Sequence, residues 1–307
     1  MYRLRKAGFD AYLVGGGVRD LLLGREPKDF DIATNASPEE VQSTFRNCRL
    51  IGRRFRLAHV HFGREIIEVA TFRGHHDNQQ TTSEEGMLLR DNVYGTIEED
   101  EIRRDFTINA LYYNIDDFSV VDYVNGIEDL RSGHLRLIGE PEVRYREDPV
   151  RMLRVVRFAA KLGFVIDESC EQPLWELGHL LEDVPPARLF EEILKLLLSP
   201  SAVHTFEKLR HYNLFAYLFA QTEEALTHQK DHFPLEMVRK GLHNTEVRLR
   251  EGKPVTPAFL LAVLLWEPVR QLYEKRLAAG AIPQTAMFDA ADRVLSVQVR
   301  KIAIPRR

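Results

Sequence analysis

The sequence predicts an α+β protein, with a mixed sheet and helices in its N-terminal part and an all-helical C-terminal half. Short β-rich runs alternate with helical ones up to about residue 135, β signals vanish after Val143, and helical spacing of apolar residues then takes over. Hydrophobic residues make up 44% and charged residues 29% of the 307, which supplies a core and gives no compositional case for disorder.

Residues 11–14 read as a strand, 18–23 as a short helix and 30–33 as a strand. A helix follows over 38–46, capped by Ser37 with Pro38 at its first position. Strands are predicted over 49–51, 57–62 and 66–72, and the polar run 74–86 interrupts the pattern as a surface loop. Beyond the boundary, placed at 135–145, the spacing predicts helices over 149–162, 186–198, 202–212 and 256–265. Trp175 and Trp266 are expected to be packing residues.

The longest wholly apolar run, 258–266, is nine residues, whereas about 20 are needed to cross a bilayer, and no secretory signal is read at the N-terminus. A cytoplasmic protein is expected. Cys48 and Cys170 lack both the number for a disulfide framework and the spacing of a zinc site, and are expected to be buried thiols. Net charge is -4, yet 44–73 carries seven arginines against two acids and 144–161 six basic residues against two acids. Solvated faces would look the same as polyanion-binding stretches.

Four clusters carry candidate chemistry. Gly15-Gly16-Gly17 lies between a strand and the helix start at Val18-Arg19-Asp20, where backbone N–H groups and a helix N-terminus suit phosphate. It matches neither the dinucleotide fingerprint, since Asp20 stands where the third glycine belongs, nor a P-loop, and a tight turn without a ligand is equally consistent. Asp29 and Asp31, twelve residues beyond Gly17 and on a predicted strand, would share one face with Phe30 packed behind. Two like charges so placed favour Mg²⁺, although a solvated turn is the alternative. Glu68, inside the apolar run Ile66-Ile67-Glu68-Val69-Ala70, would complete a three-carboxylate site for two Mg²⁺ ions and nucleotidyl transfer if its strand adjoins the first; an arginine salt bridge is its alternative.

In Arg103-Arg104-Asp105-Phe106-Thr107-Ile108-Asn109, the paired guanidiniums suit triphosphate or ribose, and Asp105 and Asn109 would share a face if the segment is helical. Asp148 and Arg151 open a helix rich in arginine, where they could read a base edge or form a helix cap. His59 and His61 share a strand face without a third soft ligand, so no zinc site is expected.

Leu13-Val14-Gly15-Gly16-x-Val18-Arg19-Asp20, Asp29-x-Asp31, Glu68 in its strand, Arg103-Arg104-Asp105-Phe106-Thr107-x-Asn109-Ala110 and Glu147-Asp148-x-x-Arg151 closely resemble the class II tRNA nucleotidyltransferase and bacterial poly(A) polymerase family, within the DNA polymerase β-like nucleotidyltransferases. The match covers about the first 200 residues. It implies a polymerase β-like nucleotidyltransferase (head/palm) domain over 1–138, a base-selecting helical neck over 139–200 and a helical RNA-binding body over 201–307. It also implies that Asp29 and Asp31 are Mg²⁺ ligands with Glu68 the third carboxylate. The implied nucleotide-binding set is Gly15, Gly16, Arg19, Arg103, Arg104, Asp105, Asn109, Asp148, Arg151, Arg154 and Arg157, with Asp148 and Arg151 pairing with the base. Gly126-Ile127-Glu128-Asp129-Leu130 resembles the flexible connecting motif, and Pro186-Ala187-Arg188-Leu189-Phe190-Glu191-Glu192 the helical one that supports the base pocket.

One branch of the family adds CCA to tRNA and the other poly(A) to RNA. Residues 50–60, with Arg53, Arg54, Arg56 and His59 as the RNA or specificity segment, look like the poly(A) signature, and the flanking text looks like the enzyme of gamma-proteobacteria. The expectation is a monomeric bacterial enzyme that uses ATP to extend RNA 3′ ends in mRNA processing and decay, with RNA-decay machinery as a partner and no membrane association. The alternatives are CCA addition and an inactive RNA-binding relative, whose hallmark would be a broken triad. The loop after His76 is shorter than the family pattern and the basic tail is absent, so weakened RNA binding and further loop or C-terminal residues are expected; the stop at 304–307, mid-pattern for a helical domain, likewise points to a C-terminal extension.

Overall fold

A computed structural model describes residues 1–52, 56–74, 94–227 and 233–304. They form two compact units, Met1–Glu140 and Pro141–Arg307.

The first unit runs α1 (Tyr2–Lys6), β1 (Ala11–Val14), α2 (Gly16–Leu22), β2 (Asp31–Thr34), α3 (Pro38–Thr44), β3 (Cys48–Ile51), β4 (Leu57–Phe62), β5 (Glu65–Thr71), α4 (Ile97–Ile102), a 3₁₀ turn (Thr107–Asn109), β6 (Tyr112–Asn114), β7 (Val120–Val121), α5 (Gly126–Ser132) and β8 (His134–Leu135). The first seven strands form one mixed sheet in the order β3-β4-β5-β2-β1-β6-β7, parallel only between β2 and β5. α3 starts where Ser37 predicts: its side chain accepts from the Glu40 amide, and Glu40 accepts from the Ser37 amide, closing a capping box.

One register row crosses this sheet: Arg49, His59, Glu68, Asp31, Val14, Tyr112 and Val121 are successive partners. Paired residues present their side chains to one face, so the row places Glu68 next to Asp31 and puts Tyr112 on the same face beyond Val14. Neighbouring residues point the other way, where Ile32, Ala58, Val60 and Val69 form a core with Leu4, Val41 and Phe45 of the helical layer. The face of the row has its own smaller core of Val14, Ala33, Phe72 and Tyr112.

The second unit contains α6 (Pro141–Glu147), α7 (Val150–Leu162), β9 (Val165–Ile166), α8 (Glu168–Leu177), a 3₁₀ segment (Gly178–Asp183), α9 (Pro186–Leu197), α10 (Ala202–His211), α11 (Leu214–Leu218), α12 (Ala220–Thr227), α13 (Phe233–Arg250), α14 (Pro257–Ala278) and α15 (Pro283–Lys301). Its described residues are helical apart from the two residues of β9, in agreement with the expected helical C-terminal half. α7 stops at Gly163, whose φ of 76° is the left-handed C-cap that favours glycine. Both tryptophans pack only partly. Trp175 meets His211 and Tyr212 edge-on but is 51% exposed, and Trp266 lines an apolar cavity of about 730 Å³ with Leu261, Leu265 and Met287. Cys48 and Cys170 are free and buried. Among the described residues no helix is long and apolar enough to cross a membrane.

Candidate active site

β1 ends at Val14, and the chain turns at Gly15 with φ 69° and ψ -136°, a conformation that a side chain disfavours. Space adds a second reason for glycine: a Cβ there would stand 3.3 Å from Nη1 of Arg104. At Gly17 a Cβ would stand 3.3 Å from the Asp29 carbonyl oxygen, so this turn lies against both the arginine segment and the approach to β2. Arg19 is 2% exposed; its Nε and Nη2 donate to Asp20 Oδ1 at 2.8 and 2.7 Å, and its Nη1 donates to Asn109 Oδ1 at 2.6 Å. The structure therefore uses Arg19 to tie the glycine turn to the 3₁₀ turn bearing Asn109.

Asp31, the first residue of β2, is the register partner of Glu68 on β5. Burial raises the Asp31 pKa, the Glu68 and Asp29 carboxylates raise it further, and Arg104 acts against them. Asp29 lies before the strand and Phe30 is 44% exposed, so the expected arrangement of both aspartates on one strand with Phe30 packed behind is not formed. The reason is that sheet pairing on both sides of β2 ends at Asp31, against Val14 and Glu68. Glu68 remains half-exposed, with its Oε1 3.2 Å from His59 Nε2 but without hydrogen-bond geometry. The predicted adjacency of the two acidic strands is met.

Among the described residues no three His, Cys, Asp or Glu side chains stand close enough to hold a metal ion. The donor chemistry nevertheless fits Mg²⁺: Asp29 and Asp31 offer hard oxygens, and a cation would relieve the like-charge and burial penalties that raise Asp31.

α4 opens with a second capping box, Thr96 with Glu99, and ends at Ile102. Asp105 and Asn109 are therefore not on one helical face, because the chain extends through Phe106 before the 3₁₀ turn. Arg103 donates to the Gly74 carbonyl, and Arg104 donates to Asp100 on α4. Behind the 3₁₀ turn, Asp129 Oδ2 accepts from Thr107 Oγ1 at 2.7 Å. A Cβ at Gly126 would fall 2.2 Å from the Thr107 carbonyl oxygen, so only glycine permits this approach. The segment 126–130, expected as a flexible connector, is instead part of α5. Its start is bonded by Asp122, which accepts from the Gly126 and Ile127 amides at 2.9 Å each. An acidic residue ahead of Gly126 is a legible capping signal that the sequence reading passed over.

In the second unit, Asp148 Oδ2 accepts from Arg188 Nη2 at 2.7 Å, and its Oδ1 accepts from the Val150 amide at 3.3 Å. Arg151 Nη1 donates to Glu147 Oε2 at 2.8 Å and to the Arg144 carbonyl at 2.7 Å. The two side chains each have their own tether: Asp148 meets the capping alternative at the Val150 amide, and Arg151 is bonded to Glu147 and the Arg144 carbonyl rather than to Asp148. Arg154 and Arg157 follow on α7, where the Arg157 guanidinium lies 4.7 Å from the Phe158 ring centroid. Of the predicted specificity segment, Arg53 and Arg54 lie outside the described residues, Arg56 pairs with Glu39, and His59 faces Glu68.

A family model described as the poly A polymerase head domain matches residues 11–136, and one described as "Probable RNA and SrmB-binding site of polymerase A" matches 163–226. The chain is 54% identical to Poly(A) polymerase I of Salmonella typhimurium, over 100% of this chain and 68% of that protein. A CCA-adding enzyme of Lactobacillus helveticus is 40% identical over only 66% of this chain and 50% of that protein. Among solved structures, the Bacillus stearothermophilus CCA-adding enzyme in complex with CTP matches with a TM-score of 0.60 and 28% identity, covering 96% of this chain and 80% of that one.

Proposed function

From the premise that this chain belongs to the bacterial poly(A) polymerase family, we propose that it adds adenylates from ATP to RNA 3′ ends without a template and releases pyrophosphate. The observation that carries the poly(A) reading over CCA addition is similarity to a poly(A) polymerase along the whole chain, against a weaker and partial similarity to a CCA-adding enzyme.

In this reading the RNA 3′-oxygen forms a bond to the α-phosphorus while the bond to pyrophosphate breaks. Asp29 and Asp31 would hold Mg²⁺, with Glu68 the register partner of Asp31 on β5. When bound, Mg²⁺ supplies charge neutralisation along the triphosphate. Gly15 and Gly16 leave room for phosphate close to the backbone, and Arg103 and Arg104 offer planar donors to its oxygens. Asn109, braced by Arg19, and Asp105 are assigned to the sugar. Asp148 and Arg151 read the base edge, Asp148 held by Arg188 and Arg151 by Glu147. Arg154, Arg157 and Arg56 provide positive charge for phosphate or RNA.

The test pairs two assays: an arbitrary RNA oligomer with ATP alone, and a tRNA trimmed at its 3′ end with CTP plus ATP. Long adenylate ladders with ATP alone are expected. A product that stops within three additions and needs CTP would move the chain to CCA addition.

A further inference from the structure

We propose that Asp100 and Tyr112 are a positioning pair that aims Arg104 at the triphosphate of the incoming nucleotide; this rests on the nucleotide-binding reading of Arg104 given above. Three side chains close a ring of hydrogen bonds. Arg104 Nε donates to Tyr112 Oη at 2.8 Å, Arg104 Nη2 donates to Asp100 Oδ2 at 3.1 Å, and Tyr112 Oη donates to the same Oδ2 at 2.6 Å. The Tyr112 ring also lies under the guanidinium, whose Cζ is 4.8 Å from the ring centroid. Two sides of the planar cation are thereby fixed, and Nη1, on the side of the Gly15 turn, donates a long hydrogen bond of 3.4 Å to the Asn109 carbonyl.

Both members of the pair are themselves anchored. Asp100 sits on the capped helix α4, and its Oδ1 accepts from the Arg73 amide at 3.1 Å. Tyr112 is fully buried, and its neighbour in the register row is Val14, which in turn neighbours Asp31. The frame that holds Arg104 is thus the sheet row that carries the acid. Burial, then Asp100, raise the Tyr112 pKa although Arg104 opposes this, so the phenol remains a neutral donor across the working pH range. A free arginine side chain has many rotamers, and one already fixed loses less freedom when phosphate arrives.

A core role alone would need only the Tyr112 ring, which meets Tyr12 and Phe72 edge-on. Tyr112→Phe keeps that ring and removes Oη. The experiment measures KM for ATP, KM for RNA and kcat in the wild type, Tyr112→Phe, Arg104→Ala and the double variant, with melting temperature alongside. Tyr112→Phe is expected to raise KM for ATP about fivefold to tenfold, the net scale of one lost intramolecular hydrogen bond. KM for RNA should stay put, and on the Arg104→Ala background Tyr112→Phe should change KM for ATP by less than about twofold. Asp100→Asn, which retains the side-chain shape, should raise KM for ATP likewise and serves if Tyr112→Phe fails to fold. An unchanged KM for ATP in the folded variants, or an equal rise with and without Arg104, overturns the positioning role while leaving the nucleotide-binding reading intact. Arg104→Ala without effect on KM for ATP overturns both.

Discussion

Asp31 stands in parallel register beside Glu68, so the backbone bonds of β2 and β5, rather than any attraction between the side chains, hold the two carboxylates on one face. Proximity imposed by the sheet at the expense of Asp31 agrees with the Mg²⁺ site proposed above. Glu68→Gln should then leave the melting temperature unchanged or slightly higher while lowering kcat for adenylate addition about a hundredfold, as measured by primer extension beside calorimetry. A variant with wild-type kcat would return Glu68 to a simple partner of His59.

The proposed function gives base choice to Asp148 and Arg151, each oriented by a different neighbour. Asp148→Ala and Arg151→Ala should each reduce the ATP-over-CTP ratio of kcat/KM at least about tenfold, because a site built to hydrogen-bond one base edge discriminates through those bonds. Nucleotide competition assays read the ratio directly. If it survives in both variants, the two residues belong to helix capping.

Glu101 is fully buried on α4; its Oε1 accepts from the Tyr123 amide at 3.0 Å, while Oε2 has no hydrogen-bond partner among the described residues. Burial, partly offset by the Tyr123 amide bond, pushes its pKa up to about 7. The folded state therefore favours the protonated form. Stability is highest below the ordinary carboxylate pKa, falls as pH rises toward about 7, and is level above it. Glu101→Gln should remove that slope and gain on the order of 2 kcal/mol at pH 8. Urea melts at pH 4.5, 6 and 8 would reveal it, and a Gln variant with the wild-type slope would rule Glu101 out as the source.

At Gly126 the constraint is steric. A methyl group placed 2.2 Å from the Thr107 carbonyl oxygen must displace α5 or the 3₁₀ turn. Gly126→Ala is expected to cost about 2–3 kcal/mol and to lower the melting temperature by several degrees. Calorimetry that finds no change would mean the turn yields freely.

Much of this was legible in the sequence because it depends on local pattern. The runs at 30–33 and around Glu68 predicted strands, and Ser37 with Pro38 marked the start of α3. Strand β2 starting at Asp31 was not legible, since its first residue is set by where Val14 and Glu68 stop pairing. Nor was the non-helical path through Asp105, where the extended backbone at Phe106 overrides the i,i+4 spacing. Asp100 lies four residues before Arg104 and could have been read as its helical partner. Tyr112 could not, because a β-strand separated from α4 in sequence supplies its hydroxyl.

The most direct measurement is adenylate addition by Asp31→Asn against wild type on one RNA oligomer with ATP and Mg²⁺, with melting curves for both. The proposed chemistry predicts a fall of at least about a thousandfold in kcat with the fold retained, since charge stabilisation worth several kcal/mol is lost. A folded Asp31→Asn protein that extends RNA within about tenfold of the wild-type rate would contradict it.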